Sequence, residues 1–345
     1  MGIDLLLGAG FVLLAAICNG TLAVPQKFVR GFAWENTWGA FYLLTMVVVP
    51  AVFALLFLKG VPATWNQAGL IQVMVPIAFG FFWGCGMTCF GLGISALGIS
   101  LGYAIIMGLS VLVGSIIPLL SQHSAKVFTS AGLLALGGII VCTAGVAVCG
   151  CAGALRERSQ ASGDGNSGPR TGQFTKGLLV CILAGVLGSS INLAFCYSGE
   201  IVRLSEQEYG NSPAIATLSA WILVFWGGFL ATGPYSAFLL TKNATWKNFT
   251  AKRASFNLML VGMMALLHFL ILFFYGIGAR YLGNMGTSVG WAAFLSCGLL
   301  IANLAGFMTG EWRGASRQSR RWLFAGLAVL IAGMCVLGAA HQVQQ

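Results

Sequence analysis

Nine stretches of this chain contain no aspartate, glutamate, lysine or arginine: 5–26, 36–58, 60–125, 127–155, 177–199, 209–241, 254–279, 281–310 and 322–345. A helix that crosses a bilayer needs about 20 mostly apolar residues. The third stretch has room for two such helices, and the small residues from Ser95 to Gly98 permit a tight turn between them. The pattern predicts ten transmembrane helices, centred near residues 14, 47, 81, 109, 139, 187, 226, 267, 297 and 331 and numbered 1 to 10 in chain order. Backbone polar groups in hydrocarbon must bond within their own helix, so the expected fold is an all-α membrane bundle. Charged residues make up only 8% of the chain, against about 25% in a soluble domain, so the natural solvent is a lipid bilayer. The start of the chain has one acid, Asp4, and no basic run, so it reads as the first span rather than a cleaved signal peptide.

The net charge of +10 follows topology. Of the 18 lysines and arginines, 14 fall in the loops after odd-numbered helices and four after even-numbered ones. Basic loops stay in the cytoplasm, which places both termini in the periplasm of a bacterial inner membrane. It also excludes a nucleic-acid footprint. Trp34, Trp38, Trp65, Trp246, Trp312 and Trp322 fall at predicted helix ends, as interfacial anchors should. The ten cysteines lie almost wholly in apolar runs, with no recurring pair of zinc type, and read as small buried hydrophobes.

Residues 156–176, rich in glycine, serine and charge, read as a cytoplasmic linker between two halves, 1–155 and 177–345. Gly91-x-Gly93-x-x-x-Leu97-Gly98 recurs as Gly276-x-Gly278-x-x-x-Leu282-Gly283 at an offset of 185. Gly138, Val141 and Gly145 match Gly326, Val329 and Gly333 at an offset of 188. Five helices is an odd number, so the halves are expected to form two inverted repeats, a plan recurrent in secondary transporters.

Several segments resemble the L-rhamnose–proton symporter family of the drug/metabolite transporter superfamily. They are Gly31-Phe32-Ala33-Trp34-Glu35-Asn36-Thr37-Trp38, Phe79-Gly80-Phe81-Phe82-Trp83-Gly84-x-Gly86 with Leu97-Gly98-Ile99-Ser100-Leu101-Gly102, Leu155-Arg156-Glu157-Arg158, Phe273-Phe274-Tyr275-x-x-Gly278, and Trp291 with Glu311-Trp312. The resemblance implies a ten-helix symporter that imports a deoxy sugar with a proton. This chain has His268 where the family carries a tryptophan in helix 8, and Asn284-Met285-Gly286-Thr287-Ser288 where the family has a Tyr-Asp-Tyr run. A uniporter or exporter of another small metabolite is the alternative within the same superfamily.

His268 is the one ionisable side chain near a predicted midplane. Such residues usually line a cavity, and imidazole titrates near neutrality. Trp83 and Trp291 can stack on a sugar's C–H face, while Asn192, Tyr103 and Tyr275 can bond its hydroxyls. These six form the expected substrate site. Glu35, favoured at a helix start by the dipole, and Lys27 join His268 as candidates for proton coupling or gating. No phosphate loop and no HExxH or other metal cluster occurs. The expectation is a transporter without cofactor or metal, not an enzyme.

Overall fold

A computed structural model describes residues 3–97, 99–122, 124–161, 171–283, 286–308, 310 and 312–344. Ten helices among them are long and apolar enough to cross a membrane: α1 Ile3–Phe28, α2 Trp34–Phe57, α3 Leu70–Leu97, α4 Leu101–Gln122, α5 Ser130–Glu157, α6 Phe174–Gln207, α7 Pro213–Lys242, α8 Ala254–Tyr281, α9 Gly286–Met308 and α10 Arg317–Ala340. Each expected centre falls inside one of them, and no strand occurs among the described residues. α3 ends at Leu97, where the turn was expected, while Gly98 lies outside the described residues. The chain turns from α8 at Gly283, whose φ of +68° suits a residue without Cβ.

Contacts divide the chain into two compact units. The first comprises Met1–Gly20, Gly86–Asn192 and Gly278–Gln345, and the second Thr21–Cys85 and Leu193–Ile277. Each unit draws segments from both sequence halves.

At the centre of the first unit α5 and α10 run antiparallel along their length, with Ile139, Cys142, Val146, Leu330 and Leu337 buried between them and their neighbours. Glycine lets the two backbones meet. Gly138 faces Leu337, Gly145 faces Leu330, Gly326 faces Cys149 and Gly333 faces Cys142, and an added Cβ would come within 2.6–2.8 Å of those side chains. Lipid tails are as apolar as leucine, so this close fit, rather than a hydrophobic drive, holds such helices together. Cys142 and Cys149 serve as small knobs in this seam.

In the second unit the missing Cβ atoms of Gly80 and Gly227 bring α3 and α7 together, Gly80 against the Val224 carbonyl and Gly227 against the Ile77 carbonyl. α2 is not a uniform helix. Leu44–Val48 form a π turn, followed by Pro50. Proline has no N–H for the carbonyl four residues back, here that of Met46, and its ring crowds that group. Widening the turn relieves the crowding, and such π turns often sit at functional positions.

Two expectations are revised. The helix of α5 continues to Ala161 and the next starts at Thr171, so both ends of the expected linker are helical, while residues 162–170 lie outside the described set. Trp34, Trp246 and Trp322 are exposed like interfacial anchors, but Trp312 is buried, stacked on Phe307 beneath the Arg156 guanidinium.

Candidate functional site

The second unit brings Trp83 of α3 and His268 of α8 together. Their rings lie parallel, 8° apart in tilt, with centroids at 5.8 Å. Both are buried, at 4% and 9% exposure. Phe41 of α2 and Phe225 of α7 meet the imidazole edge-on at 5.3 and 6.0 Å. Gly228 provides the seat for the indole, since a Cβ there would approach the Trp83 ring to 2.7 Å and the Met46 sulfur to 3.3 Å. Thr45, within the π turn, bonds His268 Nδ1 at 3.0 Å. Neither His268 Nε2 nor Trp83 Nε1 has a hydrogen-bond partner among the described residues. The result is a buried aromatic box with two unused polar edges.

Tyr275 is fully buried about two turns further along α8, beside a parallel pair of Phe195 and Trp221 with centroids at 4.6 Å. Trp221 Nε1 is buried without a partner among the described residues.

Glu35 begins α2 as expected, buried at 5% exposure. Its Oε1 accepts from Asn243 Nδ2 at 3.0 Å and from Thr245 Oγ1 at 2.8 Å. Its neighbour Asn36 donates to the Thr245 carbonyl and accepts from Asn248 Nδ2. The segment after α7 thus clamps the start of α2, with the carboxylate at the centre of the clamp. Lys27 is exposed in the turn Pro25–Phe28, whose Pro25 is buried.

The first unit holds the other candidates. Asn192 of α6 donates through Nδ2 to the carbonyls of Gly114 and Thr287, both at 2.8 Å. The first of these is a repair. Position 118, four residues after Gly114, is proline, so the Gly114 carbonyl has no helical donor. Asn192 supplies one from the neighbouring helix. Trp291 of α9 lies across the bare Cα of Gly114 and donates from Nε1 to the Ser110 carbonyl at 2.9 Å. Tyr103 meets Phe90 edge-on at 6.1 Å. Sequence reasoning thus named both tryptophans, but missed that the N–H of Trp291 is committed to the Ser110 carbonyl while that of Trp83 has no partner among the described residues.

A consequence can be measured. Asn192→Ala should destabilise the folded protein by about 1–3 kcal/mol, the usual penalty of an orphaned buried acceptor. Adding Pro118→Ala returns the helical N–H and should recover most of that loss. Thermal melts of both variants in detergent decide the matter, and a double variant no more stable than the single one would contradict it.

Sequence reasoning also missed Thr45, Phe41, Phe225 and Gly228. Thr45 had a signal, a threonine five residues before a proline in an apolar run. Glu311, Asn284 and Met285 lie outside the described residues.

Comparison with known proteins adds a consistent result. The family model described as L-rhamnose-proton symport protein (RhaT) matches residues 1–341. An L-rhamnose-proton symporter of Cronobacter sakazakii is 26% identical over 339 residues, covering 94% of this chain and 95% of that protein. L-rhamnose-proton symporters of Salmonella gallinarum and Klebsiella pneumoniae are each 25% identical, covering 96% of this chain and 97% of theirs.

Proposed function

Because this chain belongs to the L-rhamnose-proton symport protein family, we propose that it imports a monosaccharide, L-rhamnose or a related deoxy sugar, together with a proton. It is a multi-pass secondary transporter and not an enzyme. The observation that carries the substrate reading is the buried Trp83–His268 pair with two unused polar edges. A deoxy sugar has a methyl group and C–H faces as well as hydroxyls. Phe41, Phe225 and Met46 offer the carbon surface, and the indole N–H and imidazole Nε2 offer hydrogen bonds. His268 also carries the coupled proton. Tyr275 extends the substrate site within the same unit, Glu35 and Lys27 act at its gate, and Tyr103, Asn192 and Trp291 are the sugar-binding candidates of the first unit. Sugar and proton each raise the other's affinity because both favour the same state.

The chain is built as two inverted five-helix repeats, 1–155 and 177–345, joined by the linker 156–176, the plan of the drug/metabolite transporter superfamily. Reciprocal contacts support this. At an offset of 188, the contact of Gly138 with Leu337 becomes that of Gly326 with Cys149, and Gly145 with Leu330 becomes Gly333 with Cys142. With helix 1 matched to helix 6 at an offset of 169 and helix 3 to helix 8 at 185, the contact of Gly8 with Leu282 becomes that of Gly177 with Leu97, and Gly278 with Val12 becomes Gly93 with Cys181. Such exchange is the mark of a two-fold relation. In an antiparallel pair its axis crosses the helices, so the repeats face opposite ways. Trp83 and His268 are themselves equivalent at the motif offset of 185. The bias of lysine and arginine places odd-numbered loops in the cytoplasm and both termini in the periplasm of the bacterial inner membrane.

Proteoliposomes holding the purified chain should accumulate labelled L-rhamnose when the inside is made alkaline, and a protonophore should abolish the accumulation. Accumulation unchanged by the protonophore would remove proton coupling, and no uptake of L-rhamnose or other deoxy sugars would remove the substrate.

A further inference from the structure

We infer that Thr45 is a positioning residue that sets the hydrogen-bonding state of His268, an inference that rests on the reading of His268 as the proton-carrying group. Thr45 is fully buried, and among the described residues its hydroxyl makes a single hydrogen bond, to His268 Nδ1 at 3.0 Å. Threonines in helices commonly bond their own carbonyl four residues back. Thr232 of α7 does so, with the Gly228 carbonyl at 3.0 Å. Thr45 instead reaches across to α8 from the π turn that Pro50 imposes.

A buried hydroxyl with one partner loses its own hydrogen's bond if it only accepts. For the neutral imidazole, Thr45 therefore donates to Nδ1, which leaves the ring's proton on Nε2. Nε2–H then points its donor at the unused side of the box, towards a sugar hydroxyl oxygen. When the imidazole takes a second proton, that proton is added at Nδ1, and the Thr45 hydroxyl must turn round to accept it. The hydroxyl thus keeps a bond to Nδ1 in both states and holds Nε2–H towards the sugar. Among the described residues no carboxylate or cation bonds the ring. α2 faces the ring with Phe41 and Thr45, α3 with Trp83 and α7 with Phe225. Tyr42 on α2 and Tyr235 on α7 form no hydrogen bond with the imidazole among the described residues.

The test measures initial L-rhamnose uptake in proteoliposomes from pH 5 to 9 for the native chain, Thr45→Val, Thr45→Ala, Thr45→Ser and His268→Gln. Removing that bond should move the pH of half-maximal uptake in both Val and Ala variants, by about half a unit to one unit, as one net hydrogen bond allows. Thr45→Ser, which keeps the hydroxyl, should return the midpoint. A midpoint unmoved in both Val and Ala while His268→Gln loses its pH response overturns the role of Thr45 alone. Retention of the native pH response by His268→Gln overturns the reading of His268 on which it rests.

Discussion

His268→Ala is expected to reduce gradient-driven sugar uptake by about ten- to a hundredfold, the loss that follows when a buried partner's hydrogen bond of 1–3 kcal/mol disappears. Membrane insertion and abundance should change much less. The imidazole is held by Thr45 on one nitrogen and stacked on Trp83, with its second nitrogen unused. Its removal therefore takes away a polar contact and leaves an apolar gap rather than a stranded charge. The remaining uptake should also lose its preference for acid outside, because among the described residues the ring's partners are Phe41, Thr45, Trp83 and Phe225, none of which titrates near neutrality. Uptake in vesicles at pH 6 and pH 8 decides this. If the alanine variant keeps the native ratio between the two pH values, the proton is carried elsewhere, and Glu35 becomes the next group to test.

The second large effect concerns the seam of α5 and α10. Gly145→Val and Gly333→Val should each prevent the native approach of the two helices. At these positions even a Cβ would lie 2.9 Å from a backbone nitrogen of the facing helix, that of Leu330 or of Cys142. A backbone nitrogen cannot rotate away as a side chain can. Overpacking of this kind costs about 1–3 kcal/mol where side chains yield, and more is expected here. Gly137→Val is the control on the same helix, because a Cβ there meets nothing within 4 Å. Thermal unfolding in detergent should show a large and similar loss for the two seam variants and a small one for the control. Strongly unequal losses at Gly145 and Gly333 would count against the two-fold relation, since equivalent positions should feel the same obstruction.

The clamp on Glu35 illustrates a contact that pattern alone hides. Asn243-Ala244-Thr245 and Asn248-Phe249-Thr250 look in sequence like unused glycosylation patterns. In the fold, three of their polar side chains gather on Glu35 and Asn36. The carboxylate is more than 200 residues away along the chain, and no local spacing connects the two.

Sequence alone determined the ten spans, because a charged side chain in hydrocarbon is too costly to occur often and its absence can be read residue by residue. It also singled out His268, Trp83 and the recurring glycines, each conspicuous against an apolar background. Only the tertiary structure decided which of these residues act together. It set Trp83 against His268, tied Asn192 to the carbonyl that Pro118 strands, and turned Thr45 towards another helix. The physical reason is that burial in lipid depends on the composition of a segment. A hydrogen bond or ring contact depends instead on where two distant helices meet, and glycine and proline set that through backbone shape rather than polarity.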